Sequence, residues 1–335
     1  TTMHHDGFRL YDTKLTDFNS VKSCGRDLTA EIVEAARTRN LKIGLYHSLN
    51  NWMDQPDGVA ALEREMDYHT YIHNTFERIR ELVEKFNPID ILWYDAPWPF
   101  DAERWQAEKM DAMVRSIQPQ ILINGRNGLP GDFATPEGHV AYPDPWRPWE
   151  ACLTLNNSWG YNAGDEDWKS ANQVLDLLAM CATGNGNLLL NIGPRGDGSV
   201  PDGSTRVLEE VGDWLRKNGE AIYDVEPFIN GENGRGDFCS HGHFTAKDNN
   251  LYVLVRRWPG EVLTIAGLKC KVLHARLLGS EKEYSFHQRN GRVQVIGLPP
   301  NAPGHCSVLR LECDKPPSMY LCGGMTTPHM PHPHY

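Results

Sequence analysis

The stretch DILWYDAPW, residues 90–98, carries an apolar run of Ile91, Leu92, Trp93 and Tyr94 straight into the carboxylate of Asp95. Such a run reads as a buried strand, and an unpaired charge at its end costs far more than one apolar contact returns. A second carboxylate, Glu137, stands in GDFATPEGH, a Gly- and Pro-punctuated loop that follows the strand-like QILINGR. About one β-α-β step and a loop separate the two, so both can reach the same end of a parallel sheet. Two carboxylates flanking one bond are the minimum equipment for splitting a glycosidic linkage. One attacks or activates water, and the other protonates the leaving oxygen.

The neighbours suit a sugar. Trp93, Trp98, Trp146, Trp149 and Trp159 are concentrated around these segments. Flat aromatic faces pack on the C–H face of a pyranose while their N–H groups stay able to bond. His4, His5 and Arg126 supply donors for ring hydroxyls. Each has a plainer reading alone: the Asp as a structural cap, the His pair as a hydrogen-bonded prop, the loop Glu as a solvated side chain. Gathered on the strand ends of one domain, they read as a site.

The elements that must position them alternate. DLTAEIVEAARTRN (27–40) places Leu28, Ile32 and Ala35 on one helical face, and LKIGLYHSL follows as a strand. From Arg64 to Phe86, the residues Ile72, Phe76, Ile79, Val83 and Phe86 recur at steps of four and three, a helix period, and ILWYDA follows. RWQAEKMDAMVRSIQ precedes QILINGR, NQVLDLLAMCATG precedes NLLLNIGP, and a last helix over roughly 204–218 stops at Gly219. Helix-then-strand repeats imply parallel strands with crossover helices. The strands end in His4-His5, Tyr46-His47, Trp93-Asp95 and Asn124-Arg126, a polar ring of the kind found at the C-terminal mouth of a (β/α)8 barrel.

The fold class expected is therefore α/β, a (β/α)8-type barrel over residues 1–225, followed by an antiparallel β-sandwich over 226–314. In the second region short β-rich runs follow one another without helices, and Asn290-Gly291 marks a hairpin turn. Residues 315–335 form a Pro- and His-rich tail, expected to be poorly ordered. TTMHHDGF reads as the last residues of a strand with nothing ahead of it, so the barrel is expected to be N-terminally incomplete.

Composition narrows the partners. A net charge of −11 argues against nucleic acid, whose binders carry a basic footprint. No run approaches the roughly 18 apolar residues of a membrane span. Eight Cys form no C-x-x-C pair and no zinc spacing, and several read as small buried residues, with bridges among Cys270, Cys306, Cys313 and Cys322 left open.

The order TTMHHDGF, GRDL, LKIGLYHS, DILWYDA, INGR, GDFATPE, WEACLTLNNSWGY, GNLLLNIGPRGDG and WLRKNGEAIY resembles the α-L-fucosidases of glycoside hydrolase family 29. The resemblance runs over nearly all of residues 1–313. It implies a retaining mechanism with Asp95 as nucleophile, His4 and His5 on fucose hydroxyls, and Tyr46 and Trp93 lining the sugar pocket. It further implies Arg126 after the fifth strand, Trp159 packing near the substrate, and Glu137 as acid/base with Glu150, in PWEACL, as the rival. Family members begin with a further strand ending in histidine, within a segment like F-x-x-H-W-G, that this chain does not carry. The resemblance implies no cofactor, α-L-fucosylated oligosaccharides or glycoconjugates as partners, a possible homo-oligomer, and a secreted, periplasmic or lysosomal setting. An apolar patch near the aromatics is expected to select the C6 methyl of fucose.

Two other classes compete. An impaired, fucose-binding but non-catalytic protein would keep the same residues. A metal-dependent barrel hydrolase would use the histidines and Asp95 as ligands. Adjacent histidines on a strand point to opposite sides, which counts against that reading and against any metal site.

Overall fold

The computed structural model describes residues 1–143, 147–226 and 241–319. Trp146, Cys239, Cys322 and the tail from residue 320 lie outside the described residues. The chain falls into two units, Thr1–Thr135 and Pro136–Tyr335.

In the first unit, α1 (Ser20–Cys24) and α2 (Leu28–Arg37) precede β1 (Gly44–Ser48). Next come α3 (Gly58–Glu63), α4 (Glu65–Lys85), β2 (Ile91–Asp95), α5 (Ala107–Ile117) and β3 (Leu122–Ile123). The sheet runs β1-β2-β3, all parallel, with Tyr46 opposite Trp93 and Ser48 opposite Asp95. Met3 adds a parallel bridge to His47 on the other side of β1. The four- and three-residue spacing on α4 buries Ile72, Ile79, Val83 and Phe86 as expected, packed with Leu45, Leu92 and Tyr94 from the sheet. Arg78 on the same helix is buried but paired with Asp54, and it donates to the Leu49 carbonyl at 2.8 Å. A buried charge is tolerable when matched in this way, and this one fixes the chain as it leaves β1.

The face expected of α2 is wrong by one position. Ile32 is 71% exposed, while Thr29 and Val33 are buried. The Thr29 hydroxyl donates to the Leu10 carbonyl at 3.0 Å, so the segment before the helix selects its inner face; the sequence period alone did not.

The second unit opens with β4 (Glu150–Thr154), α6 (Ala171–Thr183), β5 (Asn187–Asn191) and α7 (Asp202–Asn218), β4 and β5 pairing in parallel. Gly219 follows α7 at φ −59, a right-handed value that starts a short 3₁₀ turn. Antiparallel strands follow: β6 (Gly242–Lys247), β7 (Asn250–Val255), β8 (Val262–Ala266), β9 (Val272–Leu277), β10 (Ser285–Arg289), β11 (Arg292–Ile296) and β12 (Ser307–Cys313). They form two sheets, β6-β7-β12-β9 and β10-β11-β8, around Val253, Leu263, Val293 and Leu309. Asn290 and Gly291 both take left-handed φ values of 51 and 70, the geometry of a two-residue hairpin turn between β10 and β11. Helices α6 and α7 bury Val174, Leu175, Val211 and Trp214 with Leu254 and Val308 of the larger sheet. Parallel βα units of barrel type followed by an antiparallel sandwich are the architecture read from the sequence. Cys270, Cys306 and Cys313 are buried free thiols. No helix among the described residues is long and apolar enough to cross a membrane.

Asp111 on α5 gives the first unit a pH dependence. Burial pushes its carboxyl up to about 6, with Arg115 opposing and Asp132 adding to the rise, while Asn127 donates to it at 2.8 Å. A carboxyl raised in the folded state contributes stability below its unfolded pKa and loses it as pH rises through about 6. Asp111→Asn keeps an acceptor for Asn127 and removes the ionisation. In urea unfolding at stepped pH, the variant is expected to gain on the parent as pH rises from about 4 to 7. A difference that stays flat across that range contradicts the assignment.

Candidate active site

The first unit holds His4, His5, Tyr46, Trp93, Asp95 and Arg126, all singled out in the sequence. Along β2, Leu92 and Tyr94 are buried on the helix side, which leaves Trp93 and Asp95 on the opposite face. On β1, Tyr46 and Ser48 share that face through their register with Trp93 and Asp95. The Tyr46 hydroxyl donates to Asp95 Oδ2 at 2.5 Å, and Arg126 Nη1 donates to Oδ1 at 2.9 Å. Both carboxylate oxygens therefore have a donor, which answers the cost of ending a buried run on a charge. Asn124 secures the strand end by exchanging two 2.9 Å hydrogen bonds with the backbone of Tyr94.

Rings wall the carboxylate. Tyr46 stacks on Trp93 at 5.6 Å between centroids, and His4 stacks on Tyr46 at 5.6 Å. The Arg126 guanidinium lies 4.9 Å from the Trp93 ring centre, at cation–π range. His5 Nε2 sits 3.9 Å from Asp95 Oδ2. The half-exposed rings of Trp52 and Trp98 approach His5 at 5.6 and 5.1 Å.

The adjacent histidines do not diverge as expected of a strand. Met3 alone keeps a parallel strand bridge; the chain then turns, with the Gly7 amide donating to the His4 carbonyl at 3.0 Å. The rings of His4 and His5 consequently lie 3.9 Å apart. Gly7 is required for the turn, since its φ is 79 and an added Cβ would fall 2.1 Å from Asn51 Oδ1. His4, His5 and Asp95 offer ligand atoms that all lie within 4.8 Å of one another, a nitrogen and oxygen set of a kind zinc accepts.

Glu137, Glu150 and Trp159 belong to the second unit. Glu137 forms a parallel bridge with Cys152 of β4, the Gly138 amide donating to the Cys152 carbonyl and the Cys152 amide to the Pro136 carbonyl, each at 3.0 Å. Its side chain is exposed, whereas Glu150 is partly buried at the start of β4. Trp159 is 45% exposed.

Sequence reasoning missed the residues that hold this group in place. Arg126 is oriented by Thr135, accepting from Nε at its hydroxyl and from Nη2 at its carbonyl, each at 3.0 Å. Ser48 meets His5 at 2.8 Å. Trp52 was also overlooked. The only signal for Ser48 was its place at the end of the β1 run, and Thr135 stood inside the GDFATPE motif without a role assigned to it.

A carboxylate held by a phenol and a guanidinium at a parallel strand end, beside tryptophan and histidine rings, fits one half of the carboxylate pair that a glycosidase needs. The comparisons specify it. A family model described as alpha-L-fucosidase matches residues 1–220. The tissue alpha-L-fucosidase of Rattus norvegicus is 29% identical over 329 residues, covering 91% of this chain and 68% of its own. The solved alpha-L-fucosidase isoenzyme 1 of Paenibacillus thiaminolyticus superposes with a TM-score of 0.80 at 32% identity, covering 94% of this chain and 82% of that one. The Thermotoga maritima alpha-fucosidase, solved in complex with a mechanism-based inhibitor, gives 0.72 at 29%, covering 93% and 74%. This chain belongs to the α-L-fucosidase family, glycoside hydrolase family 29.

Tyr46→Phe removes one donor from Asp95 and leaves the stack on Trp93. A hydrogen bond to a charged acceptor contributes about 1.5–3 kcal/mol, so kcat/KM on an aryl α-L-fucoside is expected to fall about 10- to 150-fold, and the thermal midpoint to fall with it, because Asp95 keeps only the Arg126 donor. Gly7→Ala is expected to lower the thermal midpoint as well as activity, because the left-handed turn that brings His4 beside His5 excludes a Cβ.

Proposed function

We propose that this chain hydrolyses terminal α-L-fucosyl linkages with retention, Asp95 being the nucleophile and Glu137 the acid/base. The observation that carries the reading is Asp95 at the end of β2, held through both oxygens by Tyr46 and Arg126 beside Trp93. In the first step an Asp95 oxygen bonds to the anomeric carbon as the bond to the aglycone oxygen breaks, and that oxygen takes the Glu137 proton. In the second, Glu137 as carboxylate takes a proton from water, whose oxygen displaces Asp95 and restores the original configuration. His4, His5, Tyr46, Trp93, Arg126 and Trp159 bind the sugar in this account. The Thermotoga protein, a structural relative, takes a mechanism-based inhibitor. Glu150 is the alternative acid/base. Residues 1–225 act as the catalytic region and 226–314 as its sandwich partner; fucosylated glycans are the partners, nucleic acid is not, and self-association is open to sedimentation.

Aryl α-L-fucoside cleavage by the parent, Asp95→Gly and Glu137→Ala tests the assignment. Asp95→Gly is expected to lose about 10³-fold or more in kcat and to form an inverted fucosyl azide when azide is added. In Glu137→Ala, azide is expected to rescue turnover with retention, at aryl leaving groups that need no proton. Full activity in either variant removes that residue from its role, and a Glu150→Ala loss in place of the Glu137→Ala loss moves the acid/base to Glu150.

One observation favours a second reading, a metal-dependent hydrolase: the convergence of His4, His5 and Asp95. It requires stoichiometric metal in the purified chain and activity lost to a chelator. The glycosidase reading expects neither.

A further inference from the structure

Ser48 is the last residue of β1, lies directly opposite Asp95 in the parallel register, and is wholly buried. Its hydroxyl makes two short contacts, 2.6 Å to the Asn50 carbonyl and 2.8 Å to His5 Nδ1. A carbonyl only accepts, so the single hydroxyl proton goes to Asn50, and Oγ has only lone pairs left for His5. Nδ1 must then carry a proton. In a neutral imidazole one nitrogen donates and the other accepts, which makes Nε2 the acceptor. Nε2 is also the nitrogen turned toward Asp95 Oδ2, at 3.9 Å.

We infer that Ser48 is a positioning residue that fixes the tautomer of His5, so that Nε2 presents a lone pair beside the nucleophile to accept a hydrogen bond from a substrate hydroxyl. The role follows from what the alternative tautomer would do. With the proton on Nε2, His5 would turn a third donor toward a carboxylate that already accepts from Tyr46 and Arg126. It would also face a substrate hydroxyl as a donor, and Nδ1 and Ser48 Oγ would meet lone pair to lone pair in a buried site. Leaving buried groups unmatched is the costly outcome. Orientation of a functional imidazole by an acceptor on its far nitrogen is a general device.

The molecule uses the same device a second time, on the other face of β1. The Thr2 hydroxyl donates to the Tyr46 carbonyl at 2.7 Å and lies 3.0 Å from His47 Nδ1. His47 is buried in the core, which pushes its pKa well down and keeps it neutral, and its Nε2 has no hydrogen-bond partner among the described residues. The two imidazoles share one hydroxyl-relayed arrangement, but only that of His5 faces the carboxylate.

The inference rests on the proposed role of Asp95, and the test keeps the two separable. The first arm is long-range ¹H–¹⁵N correlation of the full chain labelled at histidine, near pH 8, with the His5 signals assigned by their loss in His5→Asn. A pyrrole-type shift at Nδ1 and a pyridine-type shift at Nε2 are expected in the parent and in Ser48→Thr, which keeps the hydroxyl. Ser48→Ala is expected to move His5 toward the Nε2–H form. The second arm is kinetic, on an aryl α-L-fucoside. Ser48→Ala is expected to lose about 10- to 100-fold in kcat/KM, Ser48→Thr to recover most of it, and Ser48→Ala to cost almost nothing in a His5→Ala background.

A proton on Nε2 of His5 in the parent near pH 8, in the Nε2–H tautomer or in an imidazolium, overturns the inference, even if Ser48→Ala does not fold. So does an unchanged tautomer in Ser48→Ala, or a Ser48→Ala loss that persists undiminished in His5→Ala, since a purely structural serine would add its cost to that of the histidine. A parent that shows the expected tautomer but cleaves no fucoside counts against the fucosidase reading and leaves the assignment of Ser48 to His5 standing.

Discussion

A carboxylate at the end of a buried strand is the constraint on which the first unit turns. Ile91, Leu92, Trp93 and Tyr94 draw β2 into the interior, and Asp95 ends it. Without partners that arrangement would cost more than the strand's apolar contacts return. The fold meets the cost with two donors from neighbouring segments, Tyr46 from β1 and Arg126 from the chain after β3. Both carry secondary duties, since Tyr46 is stacked between His4 and Trp93 and Arg126 is bonded to Thr135 and lies against Trp93. On the proposed reading, stability and chemistry share one set of contacts, because the donors that make Asp95 tolerable would also aim it.

The same economy extends outward through small polar residues at strand ends. Asn124 locks the backbone of Tyr94, Ser48 bridges His5 to the Asn50 carbonyl, and Arg78 ties the buried helix α4 to the Leu49 carbonyl. Each satisfies a backbone group that the parallel sheet leaves unpaired at its C-terminal edge. Barrel-type sheets end in loops there, so the edge must be finished by side chains, and those side chains are then available to orient catalytic ones.

Much of this was legible in the sequence, for identifiable reasons. The helix–strand alternation, the period of α4 and the Asn290-Gly291 hairpin follow from local patterns strong enough to survive tertiary context. Asp95, Tyr46 and Arg126 were recognisable because a charge or a phenol at the end of an apolar run conflicts with its surroundings. Ser48 and Thr135 caused no such conflict, as small hydroxyls fit anywhere, and their importance lies in which atom they face. The inner face of α2 was misjudged because Thr29 bonds a carbonyl that no helical period encodes. The divergence expected of His4 and His5 assumed strand geometry that the turn at Gly7 ends.

The central claim is that Asp95 forms a covalent bond to the sugar. Incubation with a 2-fluoro-fucosyl fluoride, which slows the second step more than the first, followed by peptide mass mapping, tests it directly. The account predicts one fluorofucosyl unit per chain on the peptide containing Asp95. A label on a different carboxylate, or no label on a chain that turns over an aryl α-L-fucoside, contradicts it.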